Sequence, residues 1–438
     1  MKNNGTIGIK EWPGFFKGLT LSIQHLFAMF GATVLVPILT DLEPSIALIS
    51  SGIGTLAFII ITQGKVPAYL GSSFAFIIPL QLANEMGGIG AMMVGSMIVG
   101  IVYGIVALII KKVGYQWLLK LLPPIVTGPV IMVIGLGLST TAVSMAMNNP
   151  AGEYSLLHFS AALVTLAITI IFTVFFKGIL NMIPILLGII GGYIYSWIIG
   201  IVDFTGVKEA DWFEMPAFAF PGVHYDFEIS TALIILMVPV AFVTITEHIG
   251  HQLVLGKVVN KNYIVDPGLH RSLIGDGLAT FLSGVMGGPP KTTYGENIGV
   301  LAITRVYSVY VLAGAAVFAI LFVFIGKISA LINSIPTPVM GGISILLFGI
   351  IAASGLRMLV EEKTNFDNKK NLVVPSVILV IGIGGAYISM ELGDIVFTVS
   401  GMALATVVGA LLNAILPSKE EVEPLTLDKK EQLEKQVS

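Results

Sequence analysis

Three strings in this sequence place polar and ionisable side chains inside otherwise apolar stretches. The first is Thr246-Glu247-His248-Ile249-Gly250-His251-Gln252. On a helix Glu247 and His251 lie four residues apart and share a face, with His248 about 100° round from Glu247. The second, Thr292-Thr293-Tyr294-Gly295-Glu296-Asn297, sets another acid between Gly295 and Asn297. The third, Gly71-Ser72-Ser73-Phe74-Ala75-Phe76, has the same mixture of glycine, hydroxyls and aromatics. Gln24 and His25, and Asp276 between Gly275 and Gly277, are further polar groups in apolar surroundings. An ionisable group within a membrane costs several kcal/mol unless paired or hydrated, so each is a candidate for ligand binding or proton movement. Plainer readings stand beside these. His251 could sit at a wet helix end, and Glu296 could be a first-turn acid favoured by the helix dipole. Gln24 and His25 suit helix bracing, and Asp276 suits either bracing or proton coupling. Arg305 reads as an end anchor.

Other chemistries find little support. Zinc-protease motifs run His-Glu-x-x-His or His-x-x-Glu-His, and Glu247-His248-x-x-His251 is neither. No third ligand accompanies it, so no metal site is expected, although an intramembrane metalloenzyme using His248 and His251 is the alternative from another class. There is no phosphate-binding loop, no nucleophile–base spacing and no dinucleotide motif, so no cofactor is expected. The chain contains no cysteine, which excludes disulfides and thiolate sites. A net charge of −3 gives no reason to expect nucleic acid as a partner.

The elements that position these residues must lie in lipid. Hydrophobic residues make up 55% of the 438 and charged ones 11%, against about 25% charged in soluble domains. There are 49 glycines, a residue more frequent in membrane helices than in soluble ones. The polar N-terminus runs through Lys10 into an apolar stretch without a small-residue cleavage site, so no cleavable signal peptide is expected. With roughly 20 apolar residues needed per span, fourteen segments are predicted: near 15–38, 45–63, 66–84, 89–110, 121–146, 157–176 and 179–200, then near 229–252, 268–286, 290–308, 309–326, 337–355, 371–390 and 395–416. Segments 66–84, 268–286 and 290–308 are weak as full spans, being short or interrupted by Gly, Pro and polar residues. Fourteen spans put twenty of the 23 Lys and Arg residues on one side, leaving Lys208, Lys291 and Lys327 on the other. The positive-inside rule makes the richer side cytoplasmic, with both termini inside. The expected organisation is a cytoplasmic N-terminus 1–13, a seven-span repeat 14–200, an external loop 201–228, a second seven-span repeat 229–416 and a disordered cytoplasmic tail 417–438.

Pro124, Gly128 and Gly135 recur, in order and spacing, as Pro338, Gly342 and Gly349. Seven spans per half is odd, so the second copy starts on the opposite face and the repeats are inverted. Inverted repeats with paired interrupted helices point to a secondary transporter with a site near the midplane. Non-helical backbone at that depth is tolerated where it is buried in protein or lines a cavity. The two interrupted strings would therefore meet and offer backbone N–H groups and helix N-termini to a small polar ligand.

Gln24-His25, Glu247 with His251, and Glu296-Asn297-Ile298-Gly299 followed by Thr304-Arg305 resemble the nucleobase–ascorbate transporter family. The last run fits its signature, an acid or amide followed by Asn-x-Gly-x-x-x-x-Thr-Arg. Stretches 24–37, 69–76, 266–272 and 294–308 look especially like its bacterial uracil-carrying members. The resemblance implies an all-α polytopic fold of fourteen transmembrane segments in two inverted sevens, core and gate domains, and short antiparallel strands in the third and tenth segments. It implies ligand contacts from Glu247, Gly295, Glu296 and the Phe74 backbone, with His251 close by. Ser73 and Tyr294 join the expected binding set, while His248, His25, Gln24, Asn297 and Asp276 are expected to support proton coupling. One departure concerns Phe348, where the family member compared has a tyrosine. The implied cargo is a nucleobase, uracil foremost and xanthine or another purine as the alternative. The expected partner ion is a proton, with sodium left open, and the expected setting is a homodimer in the bacterial cytoplasmic membrane. An anion carrier of the same architecture is disfavoured by the two acids.

Overall fold

The computed structural model describes residues 6–392 and 395–417. The tail expected over 417–438 therefore lies outside the described residues beyond position 417, as do the first five residues of the expected 1–13 segment. Among the described residues, seven helices are long and apolar enough to cross a membrane: Phe15–Leu39, Pro44–Ile61, Phe74–Val113, Pro124–Met147, Leu156–Val174, Thr231–Val259 and Thr337–Glu361. An eighth arises if Val309–Val323 and Gly326–Asn333, bent by 88°, count as one span. Pro184–Ile198 and Gly401–Ile415 are shorter apolar helices.

Most of the gap between this number and fourteen has local causes. Segment 66–84 is not a helix throughout: Leu70–Ser72 is a strand (β1), followed by a helical turn Phe74–Phe76 and a helix from Ile77. Segment 290–308 likewise splits into the strand Lys291–Thr293 (β2) and a ten-residue helix Gly295–Thr304. Segment 268–286 forms the helix Leu269–Met286, whose His270, Arg271 and Asp276 lower its apolar character. Gly87 and Gly88 interrupt the Phe74–Val113 helix, Gly88 with φ 60°, where the sequence ends one segment and starts the next. The helix expected over 371–390 stops at Ile383, before Gly384 and Gly385. Beyond it Tyr387–Leu392 (β3) and Ile395–Ser400 (β4) pair antiparallel, as their β-branched and aromatic content favours.

Lys291, counted with Lys208 and Lys327 on the side poorer in Lys and Arg, lies in β2 and is 1% exposed, so it does not belong to the charge tally of either side.

Small residues let the helices approach closely, as expected where lipid supplies no hydrophobic drive between them. A Cβ on Gly128 would lie 2.9 Å from the Gly355 carbonyl, and one on Gly355 would meet the Gly128 carbonyl. Gly128 and Gly135 of the first Pro-Gly-Gly copy thus lie against the helix Thr337–Glu361 that carries the second, at Gly355 and Phe348, while Gly342 packs on Ala162. Leu269–Met286 packs on Ile77–Val113 in the same manner: a Cβ on Gly100 would lie 2.6 Å from the Gly277 carbonyl. Apolar side chains such as Ile101, Ile105, Leu108, Ile171 and Val174 point outward, as a lipid-facing surface requires. The segment between Ile198 and Thr231 folds back over helix ends, with the Lys327 ammonium donating to the Val207 and Lys208 carbonyls at 2.8 and 3.0 Å.

Candidate functional site

The two interrupted strings meet. β1 and β2 pair antiparallel, Leu70 opposite Thr293, Gly71 opposite Thr292 and Ser72 opposite Lys291. The ladder continues one residue each way. The Ser73 N–H donates to the Pro290 carbonyl at 2.9 Å and the Tyr294 N–H to the Tyr69 carbonyl at 3.0 Å. A buried two-stranded ribbon leaves two edges of unpaired backbone groups, and these need partners. Thr55 Oγ1 accepts from the Leu70 N–H at 3.0 Å. Thr280 Oγ1 does the same for the Lys291 N–H and donates to the Lys291 carbonyl, both at 3.0 Å. One threonine from Pro44–Ile61 and one from Leu269–Met286 therefore flank the crossing. Gly71 is required by close approach: a Cβ there would run into the Tyr294 ring. The Tyr294 hydroxyl crosses over to donate to the Ser72 carbonyl at 3.1 Å.

Each strand feeds a helix N-terminus. The turn at Phe74–Phe76 opens one helix and Gly295–Thr304 is the other, so the first N–H groups of both lack intrahelical acceptors. Glu296 sits in the first turn of the second helix. The long helix Thr231–Val259 runs past this point carrying Glu247, His248 and His251. A Cβ on Gly295 would sit 3.2 Å from His251 Nε2, and Glu247 lies one turn before His251 on the same helix face. Phe74 meets Phe348 edge to face, ring centroids 5.7 Å apart. The Phe348 side chain is thus beside the strand crossing.

Burial separates two groups of side chains. Glu247, His251, Gly295 and Glu296 are half-buried. His248, Asp276, Asn297, His25, Gln24, Ser73 and Tyr294 are buried. His248 is fully engaged: Nδ1 lies 2.8 Å from Asp276 Oδ2 and 3.3 Å from Thr293 Oγ1, and Nε2 lies 2.9 Å from Ser272 Oγ. His25 Nδ1 lies 3.0 Å from Asn297 Oδ1, tying Phe15–Leu39 to the helix that carries Glu296. Ser73 Oγ, His251 Nδ1 and Asp276 Oδ1 have no protein partner. Tyr294 braces β1, with its hydroxyl and N–H both engaged. Among the described residues no group of three or more His, Asp or Glu is placed to share a metal ion.

Four residues of this region escape the sequence reading. Thr55, Thr280 and Ser272 look like ordinary helix hydroxyls, and nothing in their spacing marks them. Lys291 carries a signal, a lone cation inside an otherwise uncharged stretch, but its residue type does not say which oxygens it meets.

A model of the permease family designated Xan_ur_permease matches residues 16–391. The chain is 62% identical over 419 residues to the uracil permease of Bacillus caldolyticus, covering 96% of each protein. It is 57% identical over 424 residues to the uracil permease of Bacillus subtilis strain 168, covering 96% of this chain and 97% of that one. Among solved structures, the transmembrane domain of the cyanobacterial bicarbonate transporter BicA superposes with a TM-score of 0.62 at 14% identity, covering 91% of this chain and 96% of that one. That likeness shows a shared fold. The family match, together with full-length relatives at this identity, shows that the chain belongs to this family of permeases, multi-pass membrane transporters rather than enzymes.

Proposed function

We propose that this chain imports uracil together with a proton across the cytoplasmic membrane of a bacterium. The observation that carries the reading is the β1–β2 crossing, where two helix N-termini begin, one with Glu296 in its first turn and with His251 of the Glu247-bearing helix against its Gly295. Uracil presents two N–H donors flanked by carbonyl acceptors. Two carboxylates and a few free backbone N–H groups are the complementary set. Hydrogen bonds from N–H to a carboxylate are roughly twice as strong as neutral ones. Relatives of this identity are uracil permeases, which supports uracil over a purine. Two acids at the site disfavour an anionic cargo, whatever the fold shared with a bicarbonate transporter.

Two neighbouring carboxylates also favour sharing a proton, and His251 stands beside them. In proteoliposomes, uracil uptake should follow an inwardly directed proton gradient, collapse when a protonophore is added, and continue in sodium-free buffer. Uptake that requires sodium while the proton gradient is clamped at zero would overturn proton symport.

The same reading takes the chain as fourteen segments in two inverted halves, 14–200 and 229–416, with both termini cytoplasmic, 201–228 external, and core and gate domains. Support comes from the antiparallel β1–β2 pair, the matching threonine clamps at Thr55 and Thr280, and the recurring proline–glycine pattern. The expected homodimer rests on the family resemblance.

Phe348 gives a finer test. A tyrosine there would place a hydroxyl near the edge of the site at almost unchanged volume. A neutral hydrogen bond contributes about 0.5–1.5 kcal/mol, roughly threefold to tenfold in affinity. Phe348→Tyr should bind uracil as tightly as the parent or tighter by up to that factor, measured by calorimetry. A large loss would mean that the ring meets an apolar wall unable to accept a hydroxyl.

A further inference from the structure

Lys291 is the most deeply buried cation of the described chain, 1% exposed, and among the described residues it makes no ion pair. A buried charge without a counter-charge is costly unless hydrogen-bonded, and an ammonium has three donors to place. All three find oxygen: the Ala47 carbonyl at 2.9 Å, Ser51 Oγ at 3.1 Å and Ser72 Oγ at 3.4 Å. Ser72 in turn donates its own hydroxyl hydrogen to the Thr33 carbonyl at 3.1 Å, so its oxygen is left to accept.

The direction of this grip matters. Lys291 belongs to β2, in the second half of the sequence. Its three partners belong to the first half: Ala47 and Ser51 on the helix Pro44–Ile61, and Ser72 at the end of β1. Ser72 is also the residue opposite Lys291 in the ribbon. Two residues beyond Ser72 comes Phe74, and four beyond Lys291 comes Gly295, which open the two helices at the candidate site. One tethered cation therefore ties strand to strand and strand to helix immediately behind the groups that would meet the ligand.

We propose that Lys291 is a positioning residue for substrate binding, an internal cation that clasps the two halves of the chain at the strand crossing through Ala47, Ser51 and Ser72. It touches no ligand. It fixes where the backbone at Phe74 and at Gly295–Glu296 stands. Its side chain differs in kind from the neutral threonine clamps: one atom bridges three oxygens on two elements, which no hydroxyl can do. The inference rests on the site assignment above, and binding of uracil by the parent protein tests that assignment separately.

The test is uracil calorimetry on purified full-length protein, with folding checked by gel filtration and thermal melting. Lys291→Met keeps most of the side-chain volume and loses the donors. Lys291→Ala leaves a space the size of propylammonium. Losing hydrogen bonds from a charged donor should weaken uracil binding about tenfold or more in both variants. In Lys291→Ala, added propylammonium should restore much of the affinity, while tetramethylammonium, which has no N–H, should not. A merely structural filling role would show no such discrimination. Ser51→Ala, a small change expected to fold, should weaken binding roughly threefold to tenfold. Affinity within about threefold of the parent in Lys291→Met, a loss in Lys291→Ala indifferent to propylammonium, or unchanged binding in Ser51→Ala overturns the assignment. Absence of uracil binding by the parent itself would instead overturn the functional reading.

Discussion

Glu247→Ala and Glu296→Ala should each abolish uracil uptake in proteoliposomes while the protein remains folded in detergent. Both side chains are half-buried, so truncation removes less packing than it would at a fully buried position. Each would remove one charge-assisted hydrogen bond to the base, worth about 1.5–3 kcal/mol, or roughly tenfold to more than a hundredfold in affinity. The effect on transport should exceed the effect on binding, because either acid is also a place for the coupled proton. Glu247→Gln and Glu296→Gln, which keep an acceptor but cannot ionise, should retain more binding than the alanine variants while still failing to transport against a gradient. Uptake near the parent rate in either alanine variant would remove that carboxylate from the ligand set.

The second large effect falls on Gly71. A Cβ at this position would enter the Tyr294 ring, with the contact running from the ring carbons to the hydroxyl. The ring has little freedom to withdraw, since its hydroxyl holds the Ser72 carbonyl and its N–H holds the Tyr69 carbonyl. Gly71→Ala must therefore part the β1–β2 ladder or break the Tyr294 bond, leaving buried backbone groups without partners at about 1–3 kcal/mol each. Uracil binding should fall below detection and the melting temperature should drop. Tyr294→Phe, which gives up the hydroxyl but still collides, should fail to rescue it. Tyr294→Ala, which makes room, should restore part of the lost stability. A Gly71→Ala protein with parent-like affinity would show that the crossing is looser than this geometry.

Much of this site is legible in the sequence for a simple reason. Glu247, Asp276, Glu296 and the histidines are ionisable groups in apolar surroundings, and such groups are rare enough to be informative. The broken segments are equally visible, because Gly, Ser, Thr and aromatics in sequence disfavour a continuous helix. The sequence also identified the two strings that pair as β1 and β2, although not their register. Their register is set by contacts made across the whole chain: Thr55 and Thr280 on the ribbon edges, Tyr294 over Gly71, and Lys291 against Ser51. None of these pairings has a local signature, although Lys291 stands out as a lone cation. Tyr294 adds a role that residue type alone does not show: its hydroxyl donates to the Ser72 carbonyl and braces the neighbouring strand. The form of the interrupted segments is less legible: composition over windows of about 20 residues counts apolar stretches, and cannot tell a crossing helix from a strand followed by a short helix. Among the terminal elements, the turn to β3 and β4 after Ile383 depends on the Gly384–Gly385 stop, visible afterwards but outweighed by the apolar residues around it.

In the proposed reading two carboxylates, Glu247 and Glu296, receive the two N–H groups of uracil. Calorimetry with uracil, 1-methyluracil and 3-methyluracil tests it most directly, because each methyl removes one donor and leaves one carboxylate unpaired. Each methylated base should bind at least about tenfold more weakly than uracil, and the penalty for one of them should largely disappear in the alanine variant of the carboxylate it no longer meets. Equal affinity for uracil and both methylated bases would contradict the account.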